Sequence, residues 1–186
     1  MDMPTQAPEP VGDGATLGQL ATTYDAAPVI RFSRLRDDYG CFSNFAPYPI
    51  EVDGQVWPTN EHYFQAQKFV GAPDEMAIKE TIRLARSPMV AAHLGRSRQR
   101  PLRPDWEQVK DAVMLTAVRA KFRQYAELRA LLLATYPAPL IEHRARDAYW
   151  GDGPDGRGKN RLGELLMQAR DELRDEAPAD VQAFGV

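Results

Sequence analysis

The sequence predicts an α+β fold, helix-rich, as a single domain with a small N-terminal β-sheet. Three observations carry this. Short β-patterned runs flank Asp53-Gly54. Helical patterns then fill most of residues 59–173. Proline, glycine and capping residues separate those patterns at regular intervals.

In order, Val29-Ile-Arg-Phe32 reads as a first strand, and residues 41–49 as an aromatic loop broken by two prolines. Ile50–Asp53 and Gln55–Trp57 flank Asp53-Gly54, a strong hairpin signal because both turn residues accept positive φ. Pro58-Thr59-Asn60-Glu61 opens a helix running to about Val70. A second helix is predicted over 73–86, and a third over 88–94 behind Ser87-Pro88. Residues 100–104, ending in a second proline, form a rigid break. Trp106–Phe122 is the longest helical pattern, with Val109, Val113, Leu115, Ala117 and Phe122 on a buried face. Ala126–Thr135 is a further helix, and Leu140–Glu142 a short strand. Residues 151–158 are a glycine loop, and Leu162–Leu173 the last helix. Residues 1–27 are too poor in large apolar side chains to offset their ordering entropy and read as a disordered leader. The domain spans 28–173, and 174–186 form an acidic tail.

The 186 residues are 44% apolar and 26% charged, a globular composition. No apolar run approaches the roughly 18 residues of a membrane helix. No basic, then apolar, N-terminal signal is visible, so a cytoplasmic location with no membrane partner is expected. One cysteine, Cys41, and three scattered histidines supply neither an internal disulfide nor a cysteine zinc site; no metal or cofactor is expected.

The net charge of −3 is uneven. Residues 1–27 carry four acids and no Lys or Arg, and residues 171–186 carry five acids against Arg174, so the body from 28 to 170 holds +5. Residues 81–104 contain six arginines and no acid, which is either an anion-attracting patch or a solvated basic face.

Three segments are candidates for chemistry. On the helix from Thr59, Glu61, Gln65 and Lys68 share one stripe. Glu61 lies in the first turn, where the helix dipole favours the ionised carboxylate, suiting cation stabilisation better than acid catalysis. Ordinary dipole compensation is the alternative. Next, Trp150-Gly151-Asp152 and the residues to Gly158-Lys159-Asn160 form a glycine loop before a helix, a possible backbone cradle for phosphate or simply a turn. Its G-x-x-x-x-G-K string lacks the following Ser or Thr and the downstream strands of a nucleotidase. Finally, Glu142 to Trp150 sets acids and an aromatic just before that loop, where Trp150 is a base-stacking or a core residue.

Together these segments resemble the NADAR (YbiA-like) family. Phe42-Ser-Asn44-Phe45, Val52-Asp-Gly54 and Trp57-Pro-Thr-Asn-Glu61-His62-Tyr-Phe64-Gln65-Ala-Gln-Lys68-Phe69 match its first signature. Ser87-Pro88, Leu94-Gly95-Arg96, Asp105-Trp106, Lys110-Asp111 and Lys121-Phe122 match its middle. Glu142, Asp147, Trp150-Gly151, Gly158-Lys159-Asn160 and Leu162-Gly163 match its end. His143–Arg146 and Asp152 depart from the commoner pattern.

The resemblance implies hydrolysis of N-glycosidic bonds to ribose without a cofactor. It implies two substrate classes: ADP-ribose on guanine in nucleic acid, paired with an ADP-ribosylating toxin, or ribosylamino-pyrimidine phosphates of riboflavin synthesis. A non-catalytic ADP-ribose or nucleic-acid reader is the rival. Breaking a ribosyl C–N bond builds positive charge at C1′ and negative charge on the base. Glu61 and Asp147 are then the expected catalytic carboxylates, with Lys68 as a possible Schiff-base nucleophile. Asn44, Gln65 and Asn160 would donate to base or ribose. Phe42, Phe45, Trp57, Trp106 and Trp150 would line the substrate, and Gly151, Asp152, Gly158 and Lys159 would hold phosphate.

Overall fold

The computed structural model describes residues 28–97 and 99–176. The leader and most of the acidic tail lie outside the described residues. The elements are β1 (Ile30–Phe32), β2 (Ile50–Val52), β3 (Gln55–Trp57), α1 (Asn60–Ala66), α2 (Glu75–Arg83), α3 (Pro88–Arg96), α4 (Trp106–Gln124), α5 (Ala126–Ala134), β4 (Leu140–Glu142) and α6 (Arg161–Asp175).

The α+β class holds, but the strands form two separate ribbons. β2 and β3 pair antiparallel in the register Ile50↔Trp57, with Asp53 and Gly54 both at positive φ in the turn. β1 instead pairs in parallel with β4, Ile30 opposite Leu140, across more than a hundred residues. Parallel strands need a long crossover, and α1 to α5 supply it.

The predicted helix from Thr59 is shorter than expected. Thr59 caps it by accepting from the His62 N–H at 3.3 Å. The α-helix stops at Ala66, and a 3-10 turn at Gln67–Phe69 carries Lys68 before Gly71 takes positive φ. Ser87 caps α3 with Pro88 in the first turn, as the sequence indicates.

α4 runs between two apolar clusters. One gathers Phe32, Phe42, Trp106, Phe122, Leu140 and Leu166 against α5 and α6. The other gathers Ile50, Trp57, Tyr63, Phe69, Ile82 and Ala117 around the hairpin and α2. α1 is enclosed on every side, all seven of its residues being buried. A helix without a wet face normally belongs to a core, yet this one carries Glu61, His62 and Gln65 inward.

Candidate active site

α1 brings the predicted carboxylate and amide into contact: Gln65 Nε2 donates to Glu61 Oε1 at 2.7 Å. The first turn is held from outside, because the Asn44 carbonyl accepts the Glu61 N–H at 3.1 Å. Lys68 is likewise buried; its ammonium donates to the Gly95 carbonyl at 3.4 Å and lies 5.6 Å from the ring centres of both Phe64 and Trp106. Gly95 is glycine for a spatial reason. A Cβ there would stand 1.9 Å from Gln65 Oε1.

Burial pushes the Glu61 carboxyl above its ordinary value, against the Gln65 hydrogen bond and the charges of Lys68, Arg96 and Arg144. This corrects the expectation drawn from the helix dipole. Half a charge at the end of a seven-residue helix is outweighed by loss of hydration. Glu61 is therefore suited to taking up a proton as well as to facing a cation.

β4 adds Glu142, which the sequence places in a candidate segment but to which it assigns no catalytic role. Glu142 is 5% exposed, and its carboxyl is pushed up to about 7. Burial is the main cause; Asp147 and Glu61 push the same way, and Arg144 pulls it back. Arg144 Nε donates to Glu142 Oε1 at 3.2 Å. The signal was present in the strand's alternation, which turns Leu140 and Glu142 inward together. An acid at an inward strand position is worth more attention than its neighbours.

Asp147 sits near this group but uses one oxygen to accept from the Tyr149 and Trp150 N–H groups at 3.0 and 2.8 Å, which sets the turn carrying Trp150. Trp150 meets Phe64 edge-on at 5.3 Å, and Phe64 meets Trp106 at 5.0 Å, so both predicted tryptophans reach the Lys68 environment. Phe45 is partly exposed, with the Arg144 guanidinium 5.6 Å from its ring.

Other predicted contacts fall elsewhere. Phe42 is 1% exposed and packed edge-on against Phe32 and Phe122, deep in the first cluster. Trp57 is 4% exposed and packs on Tyr63 in the second. Phe42 is a core residue, whereas Trp57 also lines a small cavity beside the hairpin, apart from Glu61 and Lys68. The Asn60 amide donates to the Asn44 side chain at 3.5 Å, which keeps Asn44 within reach of Glu61.

The end of the glycine loop, where it enters α6, is not an open phosphate cradle. The amides of Gly158, Lys159, Asn160, Arg161 and Leu162 donate to the carbonyls of Asp152, Ala148, Gly151, Tyr149 and Trp150. The start of α6 is thus filled by its own preceding chain. Asn160, at φ +50°, spends its side chain on β4: Oδ1 accepts from the Glu142 N–H and Nδ2 donates to the Leu140 carbonyl. Gly151 and Gly158 are small because a Cβ would strike Arg144 Cβ and the Glu142 carbonyl in one case and the Gly151 carbonyl in the other. Lys159 is exposed, its ammonium 5.2 Å from the Tyr149 ring centre. Asp152 is buried and accepts from Arg31, His143 and the Arg144 N–H, so it anchors the backbone beneath Arg144.

The arginine-rich stretch is partly neutralised across sequence: Arg83 pairs with Glu80, Arg100 with Asp74 and Arg103 with Asp105. Cavities of about 390 and 170 Å³ lie at His143–Asp152 and at Trp57–Tyr63; neither is lined by Glu61 or Lys68. Arg96 is the exposed member of the charge cluster; Arg144 and Asp147 are half-buried, the Arg144 side chain being 39% accessible. Among the described residues, no His, Cys, Asp and Glu group could hold a metal ion, and no helix is long and apolar enough to cross a membrane.

Known proteins match about four fifths of the chain. The N-glycosidase YbiA of Escherichia coli is 62% identical over 148 residues, covering 80% of this chain and 90% of that protein. The riboflavin biosynthesis protein PYRR of Zea mays is 42% identical over 165 residues, covering 83% of this chain and 26% of that protein. The NMR structure of E. coli YbiA superposes with a TM-score of 0.74 at 60% identity, covering 81% of this chain and 88% of that one. Residues 31–174, which hold every group of the charge cluster, match the NADAR domain, and the chain belongs to that family.

Proposed function

We propose that this N-glycosidase hydrolyses the bond between ribose C1′ and a base nitrogen, and that ADP-ribose attached to guanine in nucleic acid is its substrate. The observation that carries the reading is the meeting, around one enclosed helix, of Glu61, Gln65 and Lys68 with the Glu142–Asp147 carboxyls. Cleavage needs negative charge beside the developing oxocarbenium ion and donors toward the departing base. Glu61 supplies the first and takes the proton of attacking water. In the alternative covalent route Lys68 attacks C1′ of the opened sugar, and the aromatic walls of Phe64 and Trp106 keep its ammonium away from bulk water. Trp150 and Phe45 are the candidate stacking surfaces. The +5 body of the chain supports a polyanionic substrate, and such a substrate implies a functional partner that installs ADP-ribose.

A second reading, hydrolysis of ribosylamino-pyrimidine phosphates, is favoured by the name of the Zea mays relative. Purified protein incubated with ADP-ribosylated single-stranded DNA and, separately, with a ribosylamino-pyrimidine phosphate decides between them by which base is released. Glu61→Gln and Lys68→Ala should each lower release at least about 100-fold while melting remains cooperative. Full activity in both variants refutes the catalytic assignment. Borohydride under turnover should trap a protein–sugar adduct if Lys68 is the nucleophile, and only then.

A further inference from the structure

Both substrate readings carry phosphate, yet the amides of Gly158 to Leu162, where the glycine loop enters α6, are engaged by the preceding chain. The anion needs another partner. Arg144 is placed for it. Its backbone is anchored, the N–H donating to the buried Asp152 at 3.1 Å. Its Cβ lies against Gly151, where any larger residue would collide with it. Its guanidinium is partly open to solvent, resting on Phe45 and giving one N–H to Glu142. An arginine with a fixed stem, a partly exposed head and further N–H donors is the side chain that forks onto phosphate oxygens.

Moving that head has a consequence inside the cluster. Glu142 is faced by Arg144 and Asp147 from its own segment and by Glu61 from α1; Glu61 is in turn faced by Lys68 and by Arg96 from the end of α3. Arg144 is the cation whose hydrogen bond favours ionised Glu142. Taking it away leaves a buried carboxyl beside two others, and such a group binds a proton.

Resting on the glycosidase reading, we propose that Arg144 is the phosphate-recognising residue of this site, and that its transfer from Glu142 to the substrate makes Glu142 the proton donor to the departing base. As the C1′–N bond breaks, its electron pair goes to the base nitrogen, which takes the Glu142 proton. Water adds to C1′ and gives a proton to Glu61. Solvent exchange then returns one proton to Glu142 and removes one from Glu61, so that the net change is addition of one water across the bond. Substrates lacking phosphate do not arm the donor.

Calorimetry with the full chain tests this without turnover. ADP-ribose, whose diphosphate does not titrate near neutrality, and ribose 5-phosphate are the probes. Binding of ADP-ribose near pH 7, measured in buffers of different ionisation enthalpy, should be accompanied by net proton uptake, since loss of the Arg144 hydrogen bond raises the proton affinity of the buried Glu142 carboxyl. Glu142→Gln should abolish that uptake and keep the affinity within about threefold. Arg144→Met should weaken binding at least tenfold, whereas Arg144→Lys should restore part of the affinity. Response to ribose 5-phosphate alone supports a phosphomonoester site. Uptake unchanged in Glu142→Gln, affinity unchanged in Arg144→Met, or no binding of either probe overturns the inference, even if base release is observed. Arg144-dependent binding without release of base from either substrate overturns the glycosidase reading and leaves the phosphate assignment standing.

Discussion

Gly95→Ala is the substitution whose consequence the structure sets most narrowly. The added Cβ would lie 1.9 Å from Gln65 Oε1, 2.8 Å from its Cδ and 2.9 Å from its Cβ. Gln65 is 3% exposed, so its amide cannot swing into solvent. It must rotate within a packed interior and give up its 2.7 Å bond to Glu61. Loss of that hydrogen bond costs about 1–3 kcal/mol, and forcing a methyl into a filled space costs about as much again. The expected destabilisation is about 3 kcal/mol, which for a domain of this size is a fall in Tm of roughly 6–12 °C. Base release should fall at least about tenfold, because Glu61 loses its orienting partner. Thermal melting and steady-state kinetics of Gly95→Ala, Gln65→Ala and the double variant form a complete cycle. Gln65→Ala in the Gly95→Ala background should recover stability, since the colliding amide is gone, without recovering activity. A Gly95→Ala protein with wild-type melting and turnover would refute the claim that α1 and α3 touch at this point.

Further outcomes follow from other parts of the molecule. Glu142 holds its proton up to about pH 7 in the folded chain and to about 4.5 when unfolded, so the native state binds more protons between those values and stability falls as pH rises through that window; Glu142→Gln should flatten the decline of Tm between pH 5 and 7, and an unchanged slope counts against a buried acid there. Lys121 is 1% exposed and donates to the carbonyls of Cys41 and Ser43, so Lys121→Met should lose about 2–4 kcal/mol in denaturant unfolding and loosen the loop that carries Asn44; unchanged stability would mean those carbonyls find other donors. Burial lowers the same amine to about 7 from 10.5, so stability gains with pH above 7 in the wild type and this gain should vanish in Lys121→Met. Lys159→Ala should leave KM for a phosphorylated substrate within about threefold, whereas Gly158→Ala should destabilise because its Cβ meets the Gly151 carbonyl at 2.4 Å; a tenfold rise in KM for Lys159→Ala would return phosphate binding to the loop.

Local signals read correctly where a short-range cause dominates. The Asp53-Gly54 turn, the Thr59 and Ser87 caps and the long α4 all depend on neighbours within a few residues. The stripe of Glu61 and Gln65 was legible because helical spacing alone makes residues four apart neighbours. Reading failed where a residue's partner is distant. The glycine loop has the composition of an anion cradle, but carbonyls of residues 148–152 fill the amides of residues 158–162 at its exit into α6. Asn160 looks like a free amide and is spent on Leu140 and Glu142. Phe42 belongs to a signature that looks like a substrate wall and is packed in the core, while Trp57 packs on Tyr63 beside a cavity remote from Glu61.

What the sequence by itself determined is the inventory and its order: an α+β chain, the family, and a carboxylate and an amine separated by two turns. These follow from periodicity, capping and motif spacing, which are properties of adjacent residues. Only the tertiary structure decided the pairing of β1 with β4, the complete enclosure of α1, and the arrival of Glu142 and Arg144 beside Glu61. Protonation belongs to that second group as well, because the charge a carboxyl can hold is set by how much water the folded chain leaves around it.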